Sequence, residues 1–299
     1  MQSAILERGS WLQVVDPTPL EITSLEREYG VEPETIHDIL DVDERSRSER
    51  EESHSIIIYR VPTYSADARV RYHTIPIGII LVEGLTITVS GGEPEFIKRI
   101  QERPIRGFHL ADQVSFVLHM FQQAAATYLR YLKEINRKSS VVERDLQRSI
   151  RNTELVNLLD MEKSLVYFTT SLKTNELLID KLRKTWWKVL GEAEGDLLED
   201  VITENRQAIE MTNIYSNILS GMMDAFASVI SNNLNTVMKR LTMISIALMI
   251  PTLFASLYGM NLSHLPFSRS PIAFVGIVAI SVVASILGTV FFAKSGRFR

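Results

Sequence analysis

Two uncharged apolar runs near the C-terminal end constrain this chain more than any other feature. Leu241–Leu257 reads LTMISIALMIPTLFASL and Ile272–Ala293 reads IAFVGIVAISVVASILGTVFFA. As helices they measure roughly 26 and 33 Å, against a hydrocarbon core of ~30 Å. The second spans it unaided, and the first does so once Tyr258 and the residues before Leu241 are added. Two buried helices of a soluble protein are the alternative, but 22 uncharged residues in a row exceed an ordinary core helix. The charge of the chain lies mostly before Arg240. Of 299 residues, 32 are Lys or Arg and 36 Asp or Glu, for a net charge of −4. That balance argues against a nucleic-acid partner, which selects a basic face. The absence of cysteine excludes disulfides, iron–sulfur clusters and thiolate zinc sites.

The flanks orient the two spans. Lys239 and Arg240 precede the first, and Lys294, Arg297 and Arg299 follow the second, whereas the connecting loop holds only Arg269. The positive-inside rule puts both termini in the cytoplasm and the loop outside. Met1–Val15 lacks an apolar stretch, being interrupted by Glu7 and Arg8, so no secretory signal is expected. The expected location is the inner membrane of a prokaryotic cell, with the lipid bilayer as a partner.

The residues before the spans divide in two. Up to about residue 107, strand and turn signals alternate, which predicts a small α/β domain. Strands are expected at Ser10–Val15, Ser55–Val61, Tyr72–Leu81 and Leu85–Val89. Thr18 is placed to N-cap a helix that Gly30 ends, and Pro33–Leu40 predicts another. Between Glu26 and Glu52 stand eleven acidic and four basic residues, read as solvated surface or as a cation-attracting patch. From Phe108 to Leu190 there is neither Gly nor Pro. One helix of that length would run ~125 Å, so residues 108–195 are predicted to fold back as a hairpin, breaking near Gln147–Thr153. Residues 196–240 then form a stalk helix running without a stop signal into the first span, 241–257. A loop at 258–271, the second span at 272–293 and a basic tail at 294–299 complete the expected order.

The stalk carries a polar stripe. Alternating steps of four and three from Glu210 give Ile214, Asn217, Gly221, Asp224, Ser228, Ser231, Asn235, Met238, Thr242, Ser245, Met249, Thr252 and Ser256. A 3.5-residue step keeps one face toward a common axis. Polar residues in a span face a bundle interior or water, because lipid cannot satisfy them. Helix-packing contacts are the alternative reading for Ser and Thr. Pro251 should kink or open the helix at depth. A single such helix cannot enclose water, so a pore requires several copies of the chain.

Immediately after the first span stand Tyr258, Gly259, Met260 and Asn261. This Tyr-Gly-Met-Asn, at the outer end of the first of two C-terminal spans, resembles the signature of the CorA family of divalent cation transporters. Tyr167–Leu178 (YFTTSLKTNELL) is more weakly similar to that family's helical region. The resemblance implies a funnel-shaped homopentamer: cytoplasmic α/β domains, a long helical stalk and two membrane helices per chain. It implies Mg²⁺ as the transported ion, with Zn²⁺, Co²⁺ or Ni²⁺ as alternatives within the superfamily. Asn261 would form the outer ring receiving the hydrated ion, with Gly259 and Met260 shaping the loop. By register from the signature, the pore-lining positions fall on Asn235, Met238, Leu241, Ser245, Met249, Thr252 and Ser256. Thr242 shares the stripe, and Asp224 matches an acidic ring position. Asp200 would hold a regulatory Mg²⁺ between subunits, with Asp67 of the N-terminal domain opposite. Many family members carry an acid soon after the signature, whereas Leu262–Ser270 offers only His264 and Arg269.

Enzyme signatures are not found. The sequence holds no GxxxxGK[ST] and no HExxH, and its six histidines show no metal-ligand spacing. The rival to a transporter is a cytoplasmic scaffold on a two-helix anchor, which would need neither the stripe nor the signature.

Overall fold

The computed structural model describes residues 10–51, 53–102, 112–148, 152–186, 190–260 and 272–294. They form two compact units, Met1–Met223 and Asp224–Arg299.

The first unit is built on a five-stranded sheet of β1 (Ser10–Val15), β2 (Arg47–Arg50), β3 (His54–Tyr64), β4 (Tyr72–Val82) and β5 (Leu85–Ser90), in the spatial order β1-β5-β4-β3-β2. Only the β1–β5 pair is parallel. The central strands are apolar almost throughout because both faces are covered. Ile56 and Ile58 pack into one layer with Ile36 and Ile39, while Ile57 and Tyr59 enter the other with Phe96 and Phe121. Each fully buried Ile of this kind contributes roughly 1.5–3 kcal/mol.

One face is covered by α1 (Pro19–Tyr29) and α2 (Pro33–Leu40). Thr18 caps α1 through a reciprocal capping box with Glu21, and Gly30, at φ 69°, closes it. The strand β2 was not anticipated. It lies inside the charged stretch read as surface, and Arg47 there meets Asp38, Glu44 and Glu49 in ion pairs. A short edge strand with charged side chains carries no apolar alternation to announce it.

The other face is covered by α3 (Glu95–Glu102), the antiparallel pair α4 (Gln113–Arg148) and α5 (Asn152–Trp186), and the first turns of α6 (Glu192–Tyr258). Helix α5 is fixed to β3 by polar groups as well as apolar ones. The buried Asn175 accepts from the Arg60 amide at 3.1 Å and donates to the Arg60 carbonyl at 2.8 Å, so its amide pairs with β3 as a further strand residue would. Ser171 accepts from Arg60 Nε at 2.9 Å. These residues lie in the YFTTSLKTNELL segment. Trp186 packs against the same core, while Trp187 lies outside the described residues.

Helix α6 is continuous for 67 residues and includes Pro251 without ending there. Helix α7 (Ala273–Lys294) follows.

Candidate functional site

In the second unit, α6 and α7 are the two described helices apolar and long enough to cross a membrane. On the α7 side their mutual contact is made by small residues. Ser285 bonds to the Ala247 carbonyl, and Gly288 stands where an added Cβ would come within 3.0 Å of the Ile250 side chain. Ser281, one turn before Ser285, is buried on the same face. The rest of the described surface of α7 is almost wholly apolar, with Phe274, Ile280, Ile286, Leu287 and Phe291 exposed. That composition matches lipid.

The opposite side of α6 differs. At ~100° per residue, Ser245 and Thr252 lie about 140–160° round the helix from both Ala247 and Ile250. Thr242, Ser245, Met249, Thr252 and Ser256 are all exposed, as are Met238 and Leu241. The stripe therefore takes no part in holding α7. Its hydroxyls are used locally: Thr242 donates to the Met238 carbonyl, Ser245 to Leu241 and Thr252 to Leu248, at 2.9, 3.0 and 2.7 Å. A hydroxyl that has spent its proton on its own helix presents only lone pairs outward. At these three positions α6 can accept hydrogen bonds but donates none.

Toward the other end of α6, Asn235 and Asp224 are likewise exposed. At the C-terminal end of α6, the Gly259 amide donates to the Ala255 carbonyl at 2.9 Å, and Gly259 and Met260 are exposed beyond it. Asn261 and the remainder of the loop to residue 271 lie outside the described residues, as does the tail from 295.

Asp200 is exposed on the early part of α6. Glu204, one turn on, was not singled out from the sequence, where a second carboxylate at i+4 looks like any solvated helix face. Its Oε2 is buried without a hydrogen-bond partner. Burial, and then the charge of Asp200, raise its carboxyl above the usual range. It also borders a cavity of about 530 Å³ with Arg130, Lys133 and Arg137, yet the charge that moves its titration is that of Asp200. Two carboxylates that repel one another, one with an orphaned oxygen, fit a cation.

Asp67 is exposed between β3 and β4 and lines a cavity of about 600 Å³ with Arg69, Arg71, Lys138 and Asp160. No residue of α6 lines it, so a single chain does not bring Asp67 and Asp200 together there. Among the described residues, no three His, Asp or Glu gather as metal ligands within one chain.

Comparison with known proteins places this architecture. A family model described as CorA-like Mg²⁺ transporter protein matches residues 7–294. The chain is 26% identical over 292 residues to the cobalt/magnesium transport protein CorA of Methanocaldococcus jannaschii, covering 96% of this chain and 90% of that protein. It is 24% identical over 293 residues to the magnesium transport protein CorA of Helicobacter pylori, with 96% and 90% covered. The complete structure of the Methanocaldococcus jannaschii CorA magnesium transporter superposes with a TM-score of 0.79 at 25% identity, over 96% of this chain and 90% of that one.

Proposed function

The chain belongs to the CorA-like Mg²⁺ transporter family, and from that premise we propose that it conducts Mg²⁺ into the cell along an axis lined by the exposed stripe of α6. It is a divalent cation transporter of the membrane and not an enzyme. The observation that carries the finer reading is the division of labour on α6. The face that holds α7 is apolar, with Ala247 and Ile250, and the opposite face, exposed among the described residues, is the one bearing Thr242, Ser245, Thr252 and Ser256. In hydrocarbon that face has no use, whereas around an axis shared by five chains it lines water.

The chemistry of the wall suits the ion. Mg²⁺ gives up its water reluctantly, and the hydrogens of its bound waters point outward. Back-bonded hydroxyls that only accept are complementary to that shell. Asn261, as a neutral ring at the mouth, would add donors and acceptors without a charge deep enough to trap the ion. Met238, Leu241 and Met249 would close the bore by dewetting when the helices draw together. The membrane potential supplies the drive: two charges through ~100 mV release about 4.6 kcal/mol. Closure would follow from cytoplasmic Mg²⁺ held between subunits by Asp200, with Glu204 beside it and Asp67 as the proposed partner from a neighbour. The incomplete ligand set in one chain supports a site completed by another.

The test is flux into proteoliposomes at an inside-negative potential, read by an internal Mg²⁺-sensitive dye. Uptake well above that of empty vesicles, lost in Asn261→Ala with the oligomer intact, is the expected result. No uptake by the wild-type chain overturns the transport reading, and unchanged uptake in Asn261→Ala removes Asn261 from its role. Competition by Co²⁺, Ni²⁺ and Zn²⁺ in the same assay sets the preferred ion.

A further inference from the structure

Proline has no amide hydrogen, so Pro251 leaves the carbonyl four residues earlier, that of Ala247, without its helical donor. In a membrane span water is not at hand to replace it, and an unsatisfied carbonyl is costly. In the structure the replacement comes from the other helix. Ser285 Oγ of α7 lies 2.6 Å from the Ala247 oxygen, at the short end of the range for an O–H···O bond, and Ser285 is buried. Its neighbours behave otherwise. Thr242, Ser245 and Thr252 on α6, and Ser281 and Thr289 on α7, all donate to a carbonyl of their own helix. Ser285 crosses to α6, and it does so at the one carbonyl that Pro251 has freed.

We infer that Ser285 is a positioning residue for conduction: its hydroxyl stands in for the amide that Pro251 lacks and ties α7 to α6 at the point where α6 bends most easily. Met249 and Thr252 flank Pro251 in sequence and lie on the stripe across the helix. Any bend at Pro251 moves Thr252 relative to Met249 and the residues before it. With the Ala247 carbonyl held by Ser285, that bend is coupled to the position of α7. With the carbonyl released, α6 bends alone. The inference goes beyond the conduction reading and rests on it.

The experiment is a double-mutant cycle on Mg²⁺ flux, recording both the rate at low internal Mg²⁺ and the internal Mg²⁺ that halves it. Ser285→Ala is expected to change one or both by about threefold, the scale of one interhelical hydrogen bond in a membrane. In the Pro251→Ala background, where residue 251 regains its amide, adding Ser285→Ala is expected to change neither. The same factor in both backgrounds, or none in either, overturns the inference. If Pro251→Ala does not assemble, the near-isosteric pair Ser285→Thr and Ser285→Val decides. Thr, which keeps a hydroxyl, should behave as wild type, and Val as Ala. Equal behaviour of the two overturns it. A wild-type chain that fails to conduct would instead remove the transport reading, so the two failures are distinguishable.

Discussion

At the scale of single residues, Glu95 and Glu204 hold carboxyls in opposite electrostatic settings. Glu95 binds Arg130 through both oxygens, at 2.8 and 2.6 Å, and accepts from the Tyr131 hydroxyl at 3.0 Å. Arg130 above all holds its carboxyl down at about 2, against an ordinary 4.5. A depressed carboxyl stabilises the fold above its unfolded value and loses that contribution as pH falls. Thermal unfolding in detergent should therefore show a component fully present above pH ~4.5 and lost toward about 2. Because the pair is half exposed, Glu95→Gln should cost no more than ~1 kcal/mol and should flatten that component. Asp200 and Glu204 are the opposite case, carboxylates with each other for company. Asp200→Ala should lower Glu204 toward its ordinary range and raise the internal Mg²⁺ needed to halve flux. Flux that stays equally sensitive to internal Mg²⁺ in Asp200→Ala would count against a regulatory cation at that place.

At the scale of elements, the contact between α2 and β4 is set by a missing side chain. A Cβ at Gly78 would lie 2.3 Å from Ile39 Cδ1 and 2.6 Å from Ile39 Cγ1. Gly78→Ala must then shift the Ile39 side chain, or α2 with it, with an expected loss of about 1–3 kcal/mol, the usual range for overpacking. Shortening the opposing side chain with Ile39→Val should recover part of that loss, as measured by thermal melting of the single and double variants. Recovery of none would mean that backbone freedom in β4, and not the space under α2, is what Gly78 supplies. The hairpin of α4 and α5 is held differently. Asn175 and Ser171 bond to β3, and Asn205 of α6 donates to the Leu172 carbonyl at 3.2 Å. Polar groups placed among Phe168, Leu172 and Leu178 fix which turn of α5 meets the sheet, where apolar contact alone would permit sliding.

At the scale of the whole molecule, the two units have different solvents. Met1–Met223 holds both apolar clusters of the sheet with their covering helices, so its stability comes from burial in water. The fragment Met1–Met223 should accordingly fold on its own, melting in one cooperative transition with the helix and strand signals of the intact chain. A fragment that stays unfolded without the membrane helices would show that the sheet depends on them. In Asp224–Arg299, by contrast, large apolar side chains are exposed along both helices, a surface suited to hydrocarbon and not to water.

The membrane class was legible in the sequence because a bilayer imposes a length and a charge rule that no soluble core requires. So were most strands and the caps of α1, since alternation, Thr18 and Gly30 act over a few residues. The edge strand β2 was not, because a pairing partner such as Ile57 or Ile58, and not its own Arg-Ser-Glu-Arg, makes it a strand. The polar stripe of α6 was visible as spacing, yet spacing could not separate a water-facing wall from packing between helices. The tertiary contact narrows the choice by placing α7 of the same chain on the other side of α6. Sequence also marked Pro251 as a break in the ladder, but a lost amide says nothing of what replaces it. That Ser285, 34 positions later, supplies the missing donor depends on the register of two helices in space, which local chemistry along the chain does not encode.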